Sequence, residues 1–207
     1  MKRAGFVTLE GIEGVGKTSA VACVSAWLGE HGQAVRETRE PGGSALGERL
    51  REVLLGLDGP PVAPLAELLL MFAARAQHLD ELIRPAIAAG TWVVCDRFTD
   101  ATYAYQGGGR GLPYAAIAAA ETLVHGDLQP DLTILLDAPP ALGLARARRR
   151  SAADRFEQEQ MAFFERVRAA YLARASAAPG RFLVVDAAQD LDTVHATIRR
   201  GLAERLA

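Results

Sequence analysis

Lysine is nearly absent from this chain: of 23 basic residues only Lys2 and Lys17 are lysine, and all the others are arginine. Cysteine is as scarce, and Cys23 and Cys95 each lie in an apolar stretch, which excludes a disulfide framework or a thiolate metal cluster and points to two small core residues. His31, His78, His125 and His195 are scattered without metal-ligand or triad spacing, so surface or satisfied histidines are expected. No apolar run approaches the roughly 18 residues that span a bilayer. The opening MKRAGFVTLEG carries no apolar stretch ending in a cleavage site, so a soluble, cytoplasmic chain without a membrane partner is expected. A net charge of -2 supplies no global field for nucleic acid, so any anion site must be built locally.

What is present is an alternation of strand and helix. Runs rich in β-branched and apolar residues predict strands at 5–10, 34–38, 91–96, 132–137 and 181–186. The first, third and fourth are nearly continuous in apolar residues, as strands covered on both faces should be. Helical periodicity is predicted over 17–31, 44–56, 64–89, 113–125, 140–150, 155–177 and 191–206. Gly32 and Gly90 sit where helices end, and Pro64, Pro113 and Pro140 stand near helix starts. The 207 residues contain no repeat or long linker. The pattern implies one α/β domain over 1–207, with a five-stranded parallel sheet flanked by helices in three layers.

Directly after the first strand comes Gly11-Ile12-Glu13-Gly14-Val15-Gly16-Lys17-Thr18, a complete G-x-x-x-x-G-K-[ST] motif, followed by Ser19 in the first helix. Backbone N–H groups and a helix N-terminus converge there on a phosphate chain. Lys17 reaches the β- and γ-phosphates in such a cradle, and Thr18 takes a Mg²⁺ position. The chain therefore binds a nucleoside triphosphate, while the acceptor must be read from the ends of the other strands. Those ends carry Thr38-Arg39-Glu40-Pro41-Gly42-Gly43, then Asp96-Arg97-Phe98, then the basic cluster Arg146, Arg148, Arg149, Arg150 with Asp154-Arg155.

Six segments in register, EGIEGVGKT, TREPGG, FAARAQH, DRF with YQGGGRG, RARRRSAADRFEQE and VVDAAQDL, resemble bacterial thymidylate kinase, a family of P-loop nucleoside monophosphate kinases, over essentially the whole chain. The resemblance implies a P-loop NTPase fold with a mobile lid at about 146–156, a homodimer, and transfer from Mg-ATP to dTMP for dTTP synthesis. It implies that Arg97 clamps the acceptor phosphate, with Arg39 nearby, and that Asp96 lies beside the metal. Phe72 would stack on the pyrimidine and Arg75 would bond its edge. Glu13 would lie near the sugar and phosphate. Tyr105 would pack under the sugar and exclude a 2′-hydroxyl, with Thr102 and Gln106 completing the pocket. Arg150 and Arg155 would be the catalytic lid arginines, because the variable P-loop positions carry none. Adenine would sit between Arg146 and residues 187–189. Phe98 adds little to the resemblance, and Trp27, Tyr103 and Tyr171 are assigned to packing.

Chemistry supports a monophosphate acceptor. Its phosphate has a second pKa near about 6, so it is already a nucleophilic oxyanion at neutral pH and no general base is needed. Two polyanions must be brought together, which explains convergent cations. A deoxynucleoside kinase would need a carboxylate base instead, and a non-catalytic ATP switch would need no acceptor-side arginines.

Overall fold

The computed structural model describes residues 4–57, 61–149 and 155–206. Five parallel strands, β1 (Phe6–Glu10), β2 (Val35–Arg39), β3 (Trp92–Asp96), β4 (Leu132–Asp137) and β5 (Phe182–Asp186), form one sheet in the order β2-β3-β1-β4-β5. The central strand β1 is buried at every position, whereas the edge strand β2, with sequence VRETR, is partly open to solvent. That difference follows from the side chains, since only continuous apolar strands survive coverage on both faces.

Nine α-helices are seen among the described residues: α1 (Lys17–Glu30), α2 (Ala45–Leu55), α3 (Pro64–His78), α4 (Arg84–Ala88), α5 (Thr99–Thr102), α6 (Tyr114–His125), α7 (Pro140–Arg148), α8 (Met161–Ala177) and α9 (Leu191–Leu206). The expected long helix over 64–89 is therefore α3 and α4 joined by a π-helical turn, Leu79–Ile83. The helix expected over 155–177 begins only at Met161, and the lid-side helix closes at Arg148. Sequence periodicity missed α5 and the π-helical segment that continues it, Tyr103–Gly109, because three consecutive glycines read as a loop. They are there for proximity. A Cβ on Gly107, Gly108 or Gly109 would come between 2.2 and 2.7 Å from Tyr114, Ala170 or Phe163. Glycine thus lets the segment lie directly against α6 and α8.

Register carries the sheet toward its working end. Leu9 pairs with Asp96 on β3, and Glu10 pairs with Leu135 on β4. The neighbours β3 and β4 flank β1 on opposite sides, making its C-terminal end the switch point at which open α/β sheets bind ligands.

Three histidines fit the expectation of satisfied or exposed rings: His31 Nδ1 donates to Trp27 O, His78 contacts Glu40 and Thr38, and His195 contacts Ser19. His125 departs from it. Its ring is fully buried, neither nitrogen has a hydrogen-bond partner among the described residues, and it stacks on Phe98 with centroids 4.7 Å apart. Burial, and then the nearby Arg75 charge, push its pKa down to about 4, so it packs as a neutral ring. Both cysteines are free and buried, as expected. No helix among the described residues is long and apolar enough to cross a membrane.

Candidate active site

The phosphate cradle is made by backbone. Gly14 has φ 72°, and a Cβ there would lie 1.9 Å from Gly143 O, so no other residue fits the loop against α7. Gly16 caps α1 from the left-handed region with no side-chain capping bond, leaving the first-turn amides of the helix free of side-chain caps. Lys17 folds back over the loop, its Nζ donating to Ile12 O at 2.8 Å and Gly11 O at 3.2 Å. Desolvation, and next the Arg97 charge, lower its pKa to about 8. Ser19 is tied through its hydroxyl to His195 Nε2 on α9, 2.7 Å away, a contact that isolated histidines in the sequence did not reveal.

Arg97 stands at the end of β3 with φ 71°, a left-handed conformation that is costly for a residue with a Cβ. Its backbone N–H donates to Leu9 O, and its guanidinium reaches Gly11 O at 3.0 Å, Tyr171 OH at 3.3 Å and Glu13 Oε1 at 2.8 Å. Burial opposes its charge, but the oxygens of Tyr105, Glu13 and Tyr171 raise its pKa well above normal. Tyr171 is therefore more than the packing residue expected. Its hydroxyl also donates to Glu10 Oε2 at 2.8 Å, while Phe98 N–H donates to Glu10 Oε1 at 2.8 Å. Burial, and next the charge of Asp100, raise Glu10 to about 8.

Across the cavity, Arg75 is held on three sides: Nε donates to Glu40 Oε2 at 2.6 Å, and Nη2 to Phe98 O at 3.1 Å and Thr102 Oγ1 at 3.0 Å. Its guanidinium lies 5.0 Å over the Phe98 ring, so Phe98, completely buried, does contribute to the site. Nη1 of Arg75 is buried with no partner among the described residues. Tyr105 OH donates to both Glu13 oxygens, at 2.7 and 2.8 Å. Glu13, Lys17, Thr18, Arg75, Asp96, Arg97, Thr102, Tyr105 and Gln106 all line one cavity.

A model of the thymidylate kinase family matches residues 9–198. The chain belongs to the thymidylate kinase family. It is 59% identical to the thymidylate kinase of Chromohalobacter salexigens, over 98% of this chain and 96% of that one. It is 58% identical to that of Pseudomonas putida, over 97% of each. The crystal structure of thymidylate kinase from Ehrlichia chaffeensis superposes with a TM-score of 0.78 at 32% identity, covering 97% of this chain and 98% of that one.

Within this thymidylate kinase fold, four expected site residues lie elsewhere than the resemblance implied or outside the described residues. Arg39 is half exposed and pairs with Glu48 at 2.9 Å in a neighbouring cleft, because Glu48 in the first turn of α2 draws it outward. Phe72 is 3% exposed in a core cluster with Leu68, Tyr103 and Ile117, its ring centroid 4.9 Å from the Arg75 guanidinium, while Met71 lines the cavity. The spacing explains this, since Glu67, Met71 and Arg75 recur every four residues and share one face of α3. Arg155 is anchored away from the phosphate loop, donating to Leu54 O at 2.7 Å and Glu67 Oε2 at 2.6 Å. Arg150 lies outside the described residues. Arg146 bonds Ala187 O at 2.7 Å, joining α7 to the loop after β5.

Two further cavity residues escaped the sequence reading. Arg51 lines the cavity and donates to Pro41 O at 2.8 Å, and Phe156 is buried against Tyr105 with ring centroids 5.7 Å apart. Helical position on α2 was the available signal for Arg51.

The metal implied by the family can be tested on Asp96. Its Oδ1 is buried without a partner among the described residues, and Asp96 and Thr18 line the same cavity. No group of three acidic, histidine or cysteine side chains suited to a metal occurs among the described residues. That donor set fits Mg²⁺, which is held by one or two protein groups together with phosphates.

Proposed function

We infer that this chain transfers the γ-phosphoryl group of ATP to dTMP, yielding ADP and dTDP on the way to dTTP for DNA replication. The observation that carries the reading is Arg97, a partly buried cation set at the strand switch point between the phosphate loop and the acceptor cavity. There its guanidinium can take the acceptor phosphate in bidentate fashion, with Glu13 giving way. Arg51, on the same cavity wall, adds a second cation for that phosphate.

The carboxylates argue against a nucleoside hydroxyl as acceptor. Both Glu10 oxygens accept hydrogen bonds, and Glu13 is occupied by Tyr105 and Arg97, so neither is free to act as a base, and Asp96, the carboxylate with an open oxygen on this wall, is the one assigned to the metal. A phosphate monoester needs none. Lys17 and the helix amides would hold the ATP phosphates, and Gly11 through Ser19 form that cradle. Mg²⁺, held by Thr18 and Asp96, would neutralise phosphate charge. Arg150 is our candidate for the lid cation at the transferred group, because Ile12, Glu13 and Val15 place no cation in the loop. Adenine would rest where Arg146 meets Ala187.

On the acceptor side, Arg75 Nη1 would donate to the thymine 4-carbonyl and Gln106 would read the ring N–H, with Met71 against the base. Tyr105, fixed on Glu13, would close the space of a 2′-hydroxyl. A homodimer is supported by the apolar side chains left open on adjacent helices, Leu65 and Leu69 on α3 and Leu123 on α6. The free thiols suit a reducing cytoplasm.

ADP release measured with Mg-ATP and dTMP, dUMP, UMP, dCMP, thymidine or no acceptor tests the reading. Turnover centred on dTMP supports it. Turnover on thymidine alone, or ADP release without any acceptor, rejects it.

A further inference from the structure

We propose that Glu67 is a positioning residue for base selection: as a buried, acceptor-only carboxylate, it decides which end of the Gln106 amide faces the acceptor base. The inference rests on the dTMP reading above.

Glu67 is fully buried on α3. Three donors converge on it: Gln106 Nε2 at 2.7 Å and Arg110 Nε at 3.3 Å on Oε1, and Arg155 Nη2 at 2.6 Å on Oε2. Two guanidinium groups and one amide all donate to its two oxygens, so the carboxylate is the acceptor in every bond it makes here. The amide of Gln106 therefore has one permitted orientation. Turning it over would set its carbonyl oxygen against a carboxylate oxygen, at a side chain only 1% exposed.

With the NH₂ end committed to Glu67, the carbonyl is what Gln106 has left for the cavity it lines. A carbonyl accepts from the N3–H of thymine or uracil and repels the unprotonated N3 of cytosine. Arg75 makes the complementary demand. Its Nε and Nη2 are occupied by Glu40, Phe98 O and Thr102, so the buried, unpartnered Nη1 is the donor that remains, suited to a 4-carbonyl and not to a 4-amino group. Two buried glutamates, Glu40 and Glu67, thus orient one donor and one acceptor into a pattern that matches 4-keto pyrimidines. Glu67 also takes Arg155, which ties the C-terminal side of the expected lid segment to this choice.

The test is the ratio of kcat/KM for dTMP to that for dCMP in the full-length protein and in Glu67→Gln and Glu67→Asp. In Glu67→Gln the new amide can donate to a turned Gln106, so both orientations become available, and the ratio should fall at least about tenfold. Glu67→Asp remains acceptor-only and should keep the ratio within about threefold even if both rates drop, a pattern that loss of packing would not produce. A folded Glu67→Gln with an unchanged ratio overturns the proposal. Should Glu67→Gln fail to fold, the unmodified protein decides with N3-methyl-dTMP, which lacks the ring N–H. Use reduced by about 100-fold or more is expected, and use equal to dTMP overturns the proposal. Failure of the unmodified protein to use dTMP at all would instead remove the activity on which the proposal rests.

Discussion

The two halves of the site are built on different principles. On the donor side, one contiguous loop, Gly11–Thr18, presents backbone amides, and Lys17 is held by two carbonyls of that same loop. On the acceptor side, α3, the end of β3, α5 and the segment Tyr103–Gly109 each contribute, and buried carboxylates hold the working groups: Glu40 on Arg75, Glu13 on Tyr105 and Arg97, Glu67 on Gln106. Backbone geometry tolerates change in the side chains around it, whereas a network of charges fails when one partner is removed. The first half should therefore be sensitive at few positions and the second at many.

The largest expected effect sharpens the donor half. Lys17→Met should lower kcat by about 1000-fold or more in steady-state ADP release, because the lysine is the loop's only side-chain cation. A loss confined to the KM for dTMP would break the division between the halves.

Arg97→Met should lower kcat/KM for dTMP by roughly 100- to 1000-fold while changing the KM for ATP much less. Arg97→Lys should recover little, since a point charge does not reproduce the bidentate fork. Recovery to near the parent rate would mean that charge alone matters there.

Glu10 bears on the boundary between the halves. Its folded pKa is raised from 4.5 to about 8, so between these values the folded chain keeps a proton that the unfolded chain has lost. Stability then falls as pH rises through that window. Glu10→Gln should flatten this slope, which thermal unfolding midpoints between about pH 5 and 8 will read. Equal slopes in the two proteins would place the proton elsewhere.

The smallest effect is expected at Arg39. Its pair with Glu48 has side chains 54% and 43% exposed, so Arg39→Ala should change kcat/KM for dTMP by less than about fivefold. A larger loss would show that Arg39 swings into the cavity when substrate binds, and the acceptor wall would then need redrawing.

How much of this was legible follows from the same contrast. The phosphate loop is contiguous, and the five strands are marked by apolar runs, so both are readable from local pattern. The strand centres agree with the structure, and Leu132–Asp137 agrees to the residue. The acceptor wall is not local. Phe72, three residues before Arg75, touches that guanidinium from the core side, while the four-residue step falls on Met71, which lines the cavity. Glu67 and Tyr171 matter through partners 39 and 161 residues away, which no window along the chain contains. Arg155 looked like a lid cation, but its partner is a buried carboxylate on α3. The glycine run at 107–109 signals a loop by composition, and only the packing of α8 against it explains a helix there.

The most direct test of the central claim, that a phosphate monoester is what the acceptor side is built to hold, is calorimetric titration of dTMP and thymidine into the protein. Thymidine is expected to bind at least about 100-fold more weakly than dTMP, with Arg97→Met removing most of that difference. Thymidine binding as tightly as dTMP would contradict the account.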